Sequence, residues 1–220
     1  MGRLLCFVAA VAATIGCAGA FAAGVDKEQH KFTAADQAAA KSAVIQKADL
    51  NTAGWTGGAK APDLSPAPTC PNYHPKQSDL VLTGAAETDW KNVGLEVDTE
   101  AQVLKSESMV ALDWQRTVAD PAAIPCTETH VKQNLSSGSV KFISFKRIAF
   151  AKIGKYSRAY LTTINVTSNG TTVPITVEDV LIANKRTELT ITSTTAKAEQ
   201  ATVAAADVRL AKMLVARAKA

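Results

Sequence analysis

The chain has 220 residues, 24 basic against 20 acidic side chains, and an apolar share of 47%. That length suits one domain, and that apolar share can fill a core. A net charge of +4, scattered rather than blocked, excludes a binder of nucleic acid or anionic surfaces driven by bulk charge.

The first residues read as a targeting segment. Arg3 supplies the positive end, and Leu4–Ile15 is an apolar run too short to span a bilayer comfortably. Ala18-Gly19-Ala20 and Ala20-Phe21-Ala22 both fit a small-residue cleavage site. Residues 1–23 are therefore expected as a signal peptide, against a retained membrane anchor. Thr14-Ile15-Gly16-Cys17 also resembles a bacterial lipobox, so lipidation at Cys17 is the alternative to simple release. Residues 24–32 are polar and expected as a flexible leader, ahead of a single domain over 33–220.

Thr33 can cap a helix running to about Lys47, with Asp36 three residues on. Ala35, Ala38, Ala39, Val44 and Ile45 give it a modest apolar face. Gly57–Pro75 carries Pro62, Pro66, Pro68 and Pro71 and reads as irregular, a connector rather than a functional lid. Ser78–Thr83 and Val93–Leu104 read as extended pieces. Ser106–Val118 is helical by pattern and is stopped by Pro121. Pro125–Leu135 is a short helix bearing Cys126.

Ser139–Thr195 reads as four strands. Tyr156, Tyr160, Ile164 and Val166 share one parity, and Val173, Ile175 and Val177 alternate with Thr172, Thr176 and Glu178. Asn169-Gly170 supplies the residues a two-residue hairpin needs, and Asn184-Lys185 is a weaker turn of that kind. In the first strand, Val140–Phe150, the apolar phase slips between Phe142 and Ile143, a bulge signal. Pro174 has no amide hydrogen, so its strand is expected at an edge or locally unpaired. Ala198–Lys219 closes the chain as a helix with Val203, Ala206, Leu210, Met213 and Leu214 recurring at helical spacing. The fold class is α+β: an antiparallel sheet of about five to six strands with N-terminal, middle and C-terminal helices packed on it.

With Cys6 and Cys17 in the targeting segment, Cys70 and Cys126 remain. In an oxidising compartment two cysteines pair most simply. The competing reading is a metal site, since Cys70-x3-His74 and Cys126-x3-His130 bring four possible ligands, though not in a zinc-finger spacing.

Catalytic patterns are missing. There is no G-x-S-x-G, no phosphate-cradling loop and no dinucleotide fingerprint. Glu178-Asp179 fall on opposite strand faces and cannot converge. Lys141, Lys146, Arg147, Lys152, Lys155 and Arg158 interleave with aromatic residues, a mixture read as a charged strand edge before an anion site. Within it, Lys146, Tyr156, Arg158 and Tyr160 are the candidate ligand-binding residues. Sequons at Asn134, Asn165 and Asn169 matter only in a host that glycosylates them.

Small-residue helix, Asp49-Leu50…Gly54-Trp55, a Pro-rich Cys-bearing segment, Gly154-Lys155-Tyr156-Ser157-Arg158-Ala159-Tyr160, Val173-Pro174-Ile175-Thr176-Val177 and Asp179–Arg186 follow in order. In this order and pattern the chain resembles the actinobacterial exported sensor-like domains, including the PknH-like extracellular domain and related lipoproteins, over roughly 33–220. The resemblance implies an antiparallel sheet with helices on it and a ligand cleft without known catalysis. Those domains often carry two disulfides, and this chain has cysteines for one. The expectation is an exported, non-enzymatic domain without cofactor. It binds a small molecule, lipid, cell-wall component or envelope protein, outside the cell or on the outer membrane face. A small hydrolase or metal-binding protein using His74 and His130, and a structural envelope protein, are the alternatives.

Overall fold

The computed structural model describes residues 26–50, 53–135 and 138–218. The signal segment, its cleavage sites and Cys17 lie outside the described residues. In chain order the elements are β1 (Gln29–His30), α1 (Ala34–Ala43), β2 (Thr56–Lys60), β3 (Val81–Asn92), β4 (Leu95–Leu104) and α2 (Glu107–Asp113). Then come α3 (Ala123–Asn134), β5 (Val140–Ile148), β6 (Tyr156–Ser168), β7 (Thr171–Asn184), β8 (Thr187–Ala196) and α4 (Gln200–Arg217). The fold is α+β, with one open sheet in the order β1-β3-β4-β8-β7-β6-β5 and β2 also pairing with β3.

The sheet has eight strands, more than the five to six expected, and it is mixed because β1 lies parallel to β3. The two unforeseen strands are short and carry no apolar alternation. β1 falls where a flexible leader was expected; Gln29 pairs with Val81 and His30 with Leu82. β2, Thr-Gly-Gly-Ala-Lys, lies antiparallel to Glu87–Lys91. Gly57 sits at φ +123°, where a Cβ would come within 2.0 Å of the Asp89 carbonyl. Between β1 and β2 the edge of β3 is closed by the start of α1. Thr33 N–H donates to Thr83 O at 2.9 Å, and Ala85 N–H to Gln37 Oε1 at 3.3 Å.

The four-strand meander β5–β8 follows the expected pattern. Asn169 and Gly170 both take positive φ (49° and 75°), the twist-matched hairpin turn. The register slips between Phe142 and Ser144, leaving Ile143 exposed. Pro174 pairs only with Asn165 of β6, because pairing with β8 begins at Ile175. Its missing amide hydrogen therefore costs no ladder bond.

Helices cover both faces. On one, Val97, Ala101, Val103, Leu189, Ile191, Val180, Ile182 and Ala159 pack under α1 and α4. α1 ends at Ala43 rather than near Lys47, and Val44 is extended. Extension lets Ile45 N–H donate to Thr99 Oγ1 and Ile45 O accept from Trp90 Nε1. The buried stripe of α4 is Val203, Asp207, Ala211 and Leu214, shifted from the expected one and containing an acid. On the other face, Leu80, Leu82, Ala85, Leu104, Ala183, Tyr156 and Leu181 meet Val110 and Trp114. Val131 and Leu135 at the end of α3 cover Ile164 and Ile175. α2 loosens at its C-terminus into a π turn, Trp114–Ala119.

Candidate functional site

β4 and β8 set side by side Gln102 with Glu188 and Glu100 with Thr190. These residues belong to the second face. In an ordinary half-buried sheet they would meet water. Here the α2 π turn and the irregular segment 61–80 arch over them. The result is a cavity of about 260 Å³, lined by Glu28, Leu64, Pro66, Gln77, Glu100, Gln102, Asp113, Trp114, Val118, Leu181 and Glu188, among others. A π turn carries one extra residue and recurs at functional sites; this one turns Trp114, Thr117 and Val118 into the cavity wall.

The roof has several ties. Asp63 N–H donates to Glu87 Oε2 at 2.8 Å, and Ala67 N–H to Gln77 Oε1 at 2.9 Å. Tyr73 OH donates to Arg116 O at 3.0 Å. Arg116 forks onto Asp79 at 2.7 and 3.1 Å. Asp26 accepts from Gln77 N–H and from the Ser78 amide and hydroxyl, which docks the residues before β1. A disulfide joins Cys70 to Cys126 of α3, with Cα atoms 5.7 Å apart.

Four carboxyls face this space. Burial pushes Glu28 up to about 7, helped by the nearby Asp113 charge. Burial pushes Glu100 to about 7 as well, although Gln102 Nε2 donates to it at 2.7 Å. Burial raises Asp113 against the pull of Glu188, Thr117, Gln77 and Arg116. Burial, then Asp113, Glu28 and Glu100, push Glu188 well above the usual carboxylate range. Asp113 is 8% exposed, and neither its Oδ1 nor Glu188 Oε1 meets a donor. As carboxylates both can only accept, so the pair calls for a proton or a cation. Arg116 is committed to Asp79, Lys27 is an exposed rim residue, and Arg158 donates to the carbonyl of the wall residue Val118 and leaves its Nε without a partner.

A second recess of about 180 Å³ adjoins the first, sharing Thr117, Leu181 and Thr190 and reaching Phe145, Tyr160 and Asp179. Asp179 is raised by burial and accepts from Thr192 Oγ1 at 2.8 Å.

The four ligand residues read from sequence separate. Tyr156, Arg158 and Tyr160 share the covered face, opposite Ala183, Leu181 and Asp179 of β7. Tyr156 stacks on Trp114 at 5.4 Å, and Tyr160 on Phe145 at 5.2 Å. An Arg158 terminal nitrogen donates to Val118 O. Of these, Tyr160 reaches a recess. Lys146 pairs with Leu161 on the opposite parity and is exposed with Lys141 and Arg147 along the edge strand β5. Cys70, Cys126 and His130 lie together, but the sulfurs are joined to each other, and His130 Nε2 sits 3.1 Å from Thr69 O. His74 is not in that group.

The sequence reading missed Glu28, Glu100, Asp113 and Glu188. Glu28 falls in the polar leader, and Glu100, Asp113 and Glu188 occupy polar positions in strand or helix patterns, where water is the ordinary neighbour. Their seclusion comes from the irregular segment, whose course leaves no periodic trace in the sequence.

No protein-family model matches the chain, and no curated protein matches it. Among solved structures it is similar to LpqN of Mycobacterium tuberculosis, described as involved in cell envelope biogenesis. Identity is 12% over 74% of this chain and 83% of that one, with a TM-score of 0.28. A likeness at that level carries no argument about what this chain does.

Proposed function

We propose that the chain is an exported, non-enzymatic domain that binds a ligand at the cell envelope, and that the acid-lined cavity is its binding site. The observation that carries this reading is the pair Asp113 and Glu188, each with one buried oxygen that meets no donor, in the wall of a partly open cavity. Leaving buried polar groups unmatched costs stability, and binding sites are where such costs are tolerated. The disulfide supports export, because such bonds persist in oxidising compartments. The signal-like first residues point the same way.

A thermal-shift screen tests the reading, using amines, cell-wall sugars, peptides and lipids as probes. Binding to the native state raises the melting temperature by mass action. The expected result is a shift of a few degrees with one class, reduced by Leu181→Trp, which fills the cavity wall. No shift with any class, together with turnover of an ester or glycoside substrate, overturns it.

A further inference from the structure

The cavity is too acidic for an anion and too large for a bare ion. We propose that it takes a small organic cation, an alkyl- or arylammonium compound, with its nitrogen between Asp113 and Glu188 and its carbon body against Leu64, Trp114 and Leu181. This rests on the cavity being the binding site.

Several observations converge. Asp113 is 8% exposed and lines the cavity, and its Oδ1 has no donor. Glu188 Oε1 is in the same condition from the facing strand. A neutral ligand with one hydroxyl could satisfy one of these oxygens but would leave the other without a donor. An ammonium offers up to three donors and a positive charge at once. Leu64, Val118, Leu181 and the Trp114 indole form the apolar part of the wall, which suits a short hydrocarbon and excludes a fully hydrated ion. Small-molecule sites have this character, apolar walls with a few placed polar groups. The volume, about 260 Å³, lies just below the roughly 300–1,000 Å³ of drug-sized sites.

A divalent metal fits less well. Calcium draws six to eight oxygens to within about 2.6 Å of one centre. Among the described residues, the three-residue group of possible ligand atoms gathered within 4.8 Å is Cys70, Cys126 and His130, not the carboxyls of this cavity. Asp113 and Glu188 touch as a pair, and Glu28 and Glu100 line the same space apart from them, an uneven set that suits a ligand with a body better than a single ion.

The charge state supports the same picture. Burial pushes Glu28 and Glu100 up to about 7, so both are partly protonated near neutral pH, and raises Asp113 and Glu188 in the same direction. Lys27 at the rim, Arg116 behind Asp113 and Arg158 on the Val118 carbonyl are cations around them, and Glu87, Asp63 and Asp98 add negative charge near Glu100. A ligand cation must then displace protons, so its binding releases them to buffer.

Titration calorimetry on the disulfide-intact protein decides the matter, with cadaverine, phenethylamine, choline, calcium chloride and N-acetylglucosamine as separate probes. Runs in two buffers of different ionisation enthalpy count released protons. The expected result is binding of an ammonium probe with net proton release. Asp113→Asn or Glu188→Gln should weaken it at least about tenfold, with the folded spectrum retained. Should either variant fail to fold, Glu100→Gln on the cavity floor should still weaken it and reduce the proton count. Binding of calcium alone overturns the proposal in favour of a metal. Binding of the sugar alone, weakened by Leu181→Trp and indifferent to Glu100→Gln, overturns the cation and leaves the cavity as a ligand site. Silence from every probe overturns both readings.

Discussion

Asp207 is the residue whose setting departs most from what its type would choose. It lies 1% exposed in the stripe of α4 that meets the sheet. Ser193 Oγ donates to its Oδ1 at 2.8 Å, while Oδ2 has no partner. Burial pushes it up to about 7, with Ser193 pulling it back and Glu178 adding to the rise. Glu178, also raised by burial, accepts from Gln200 Nε2 at 3.1 Å. A carboxyl raised on folding gives the native state the larger share of protons between its unfolded and folded values. Its contribution is present below about pH 4 and is lost as pH rises through about 7. The protein should therefore melt higher at mildly acidic than at mildly alkaline pH, with Glu28, Glu100 and Asp98 (about 6 by burial) acting in the same sense. Asp36, lowered chiefly by Arg186, opposes them. Asp207→Asn keeps an acceptor for Ser193 and removes the charge. It should flatten the melting profile and stabilise the protein near pH 8 by on the order of 2 kcal/mol, read by calorimetric melting across that range.

At the scale of elements, α1 and β3 come so close that no side chain fits between them. A Cβ on Gly84 would lie 2.3 Å from Asp36 O and 2.4 Å from its carbonyl carbon. Gly84→Ala must push the helix off the strand and should destabilise by about 1–3 kcal/mol, seen as a lower urea midpoint with an unchanged slope. The helix is also tied by Arg186, whose guanidinium reaches Asp36 at 2.7 Å and Leu104 O at 3.4 Å. Elements like these divide by how much their neighbours decide. β5–β8 could be read from the chain because alternation and turn residues are local properties. The bulge at Ile143 and the position of Pro174 were legible for the same reason. Most of β3 was not: Gly84, Ala85, Ala86, Glu87, Thr88 and Asp89 show neither bulk nor alternation. All but the half-buried Asp89 are buried, because helix and strand partners lie on every side. The end of α1 was misplaced because Val44 and Ile45 fit a helical face equally well. The Thr99 and Trp90 bonds select extension, and both partners are some fifty residues away.

Across the whole molecule, the disulfide is the one covalent link among the described residues between the irregular roof and the helical layer. It spans 56 positions, so the chain-entropy account gives about 4 kcal/mol of stabilisation. Cys70→Ser with Cys126→Ser should lower the chemical-denaturation midpoint by an amount of that order. The same double variant should leave the far-ultraviolet spectrum near native, since neither cysteine lies in the sheet. Cysteine pairing was legible from the count and compartment alone. The cavity was not, because its wall is assembled from stretches that run from Lys27 to Thr190, and of the four acids just Glu100 and Asp113 are near each other in sequence, on different elements.

The arch over the second face has a consequence for how the molecule breathes. Segment 61–80 has neither ladder nor helical bonds for most of its length, and its amides lean on Glu87, Gln77 and Asp26. Those few bonds can open without disturbing the strands beneath. Hydrogen exchange should then show two tiers, with the amides of Asp63 and Ala67 exchanging far sooner than those of β4 and β8. Reduction of the disulfide should widen the gap between the tiers, because the roof would then be held at its ends and by side chains alone. A molecule built this way can open over its cavity while its framework stays shut.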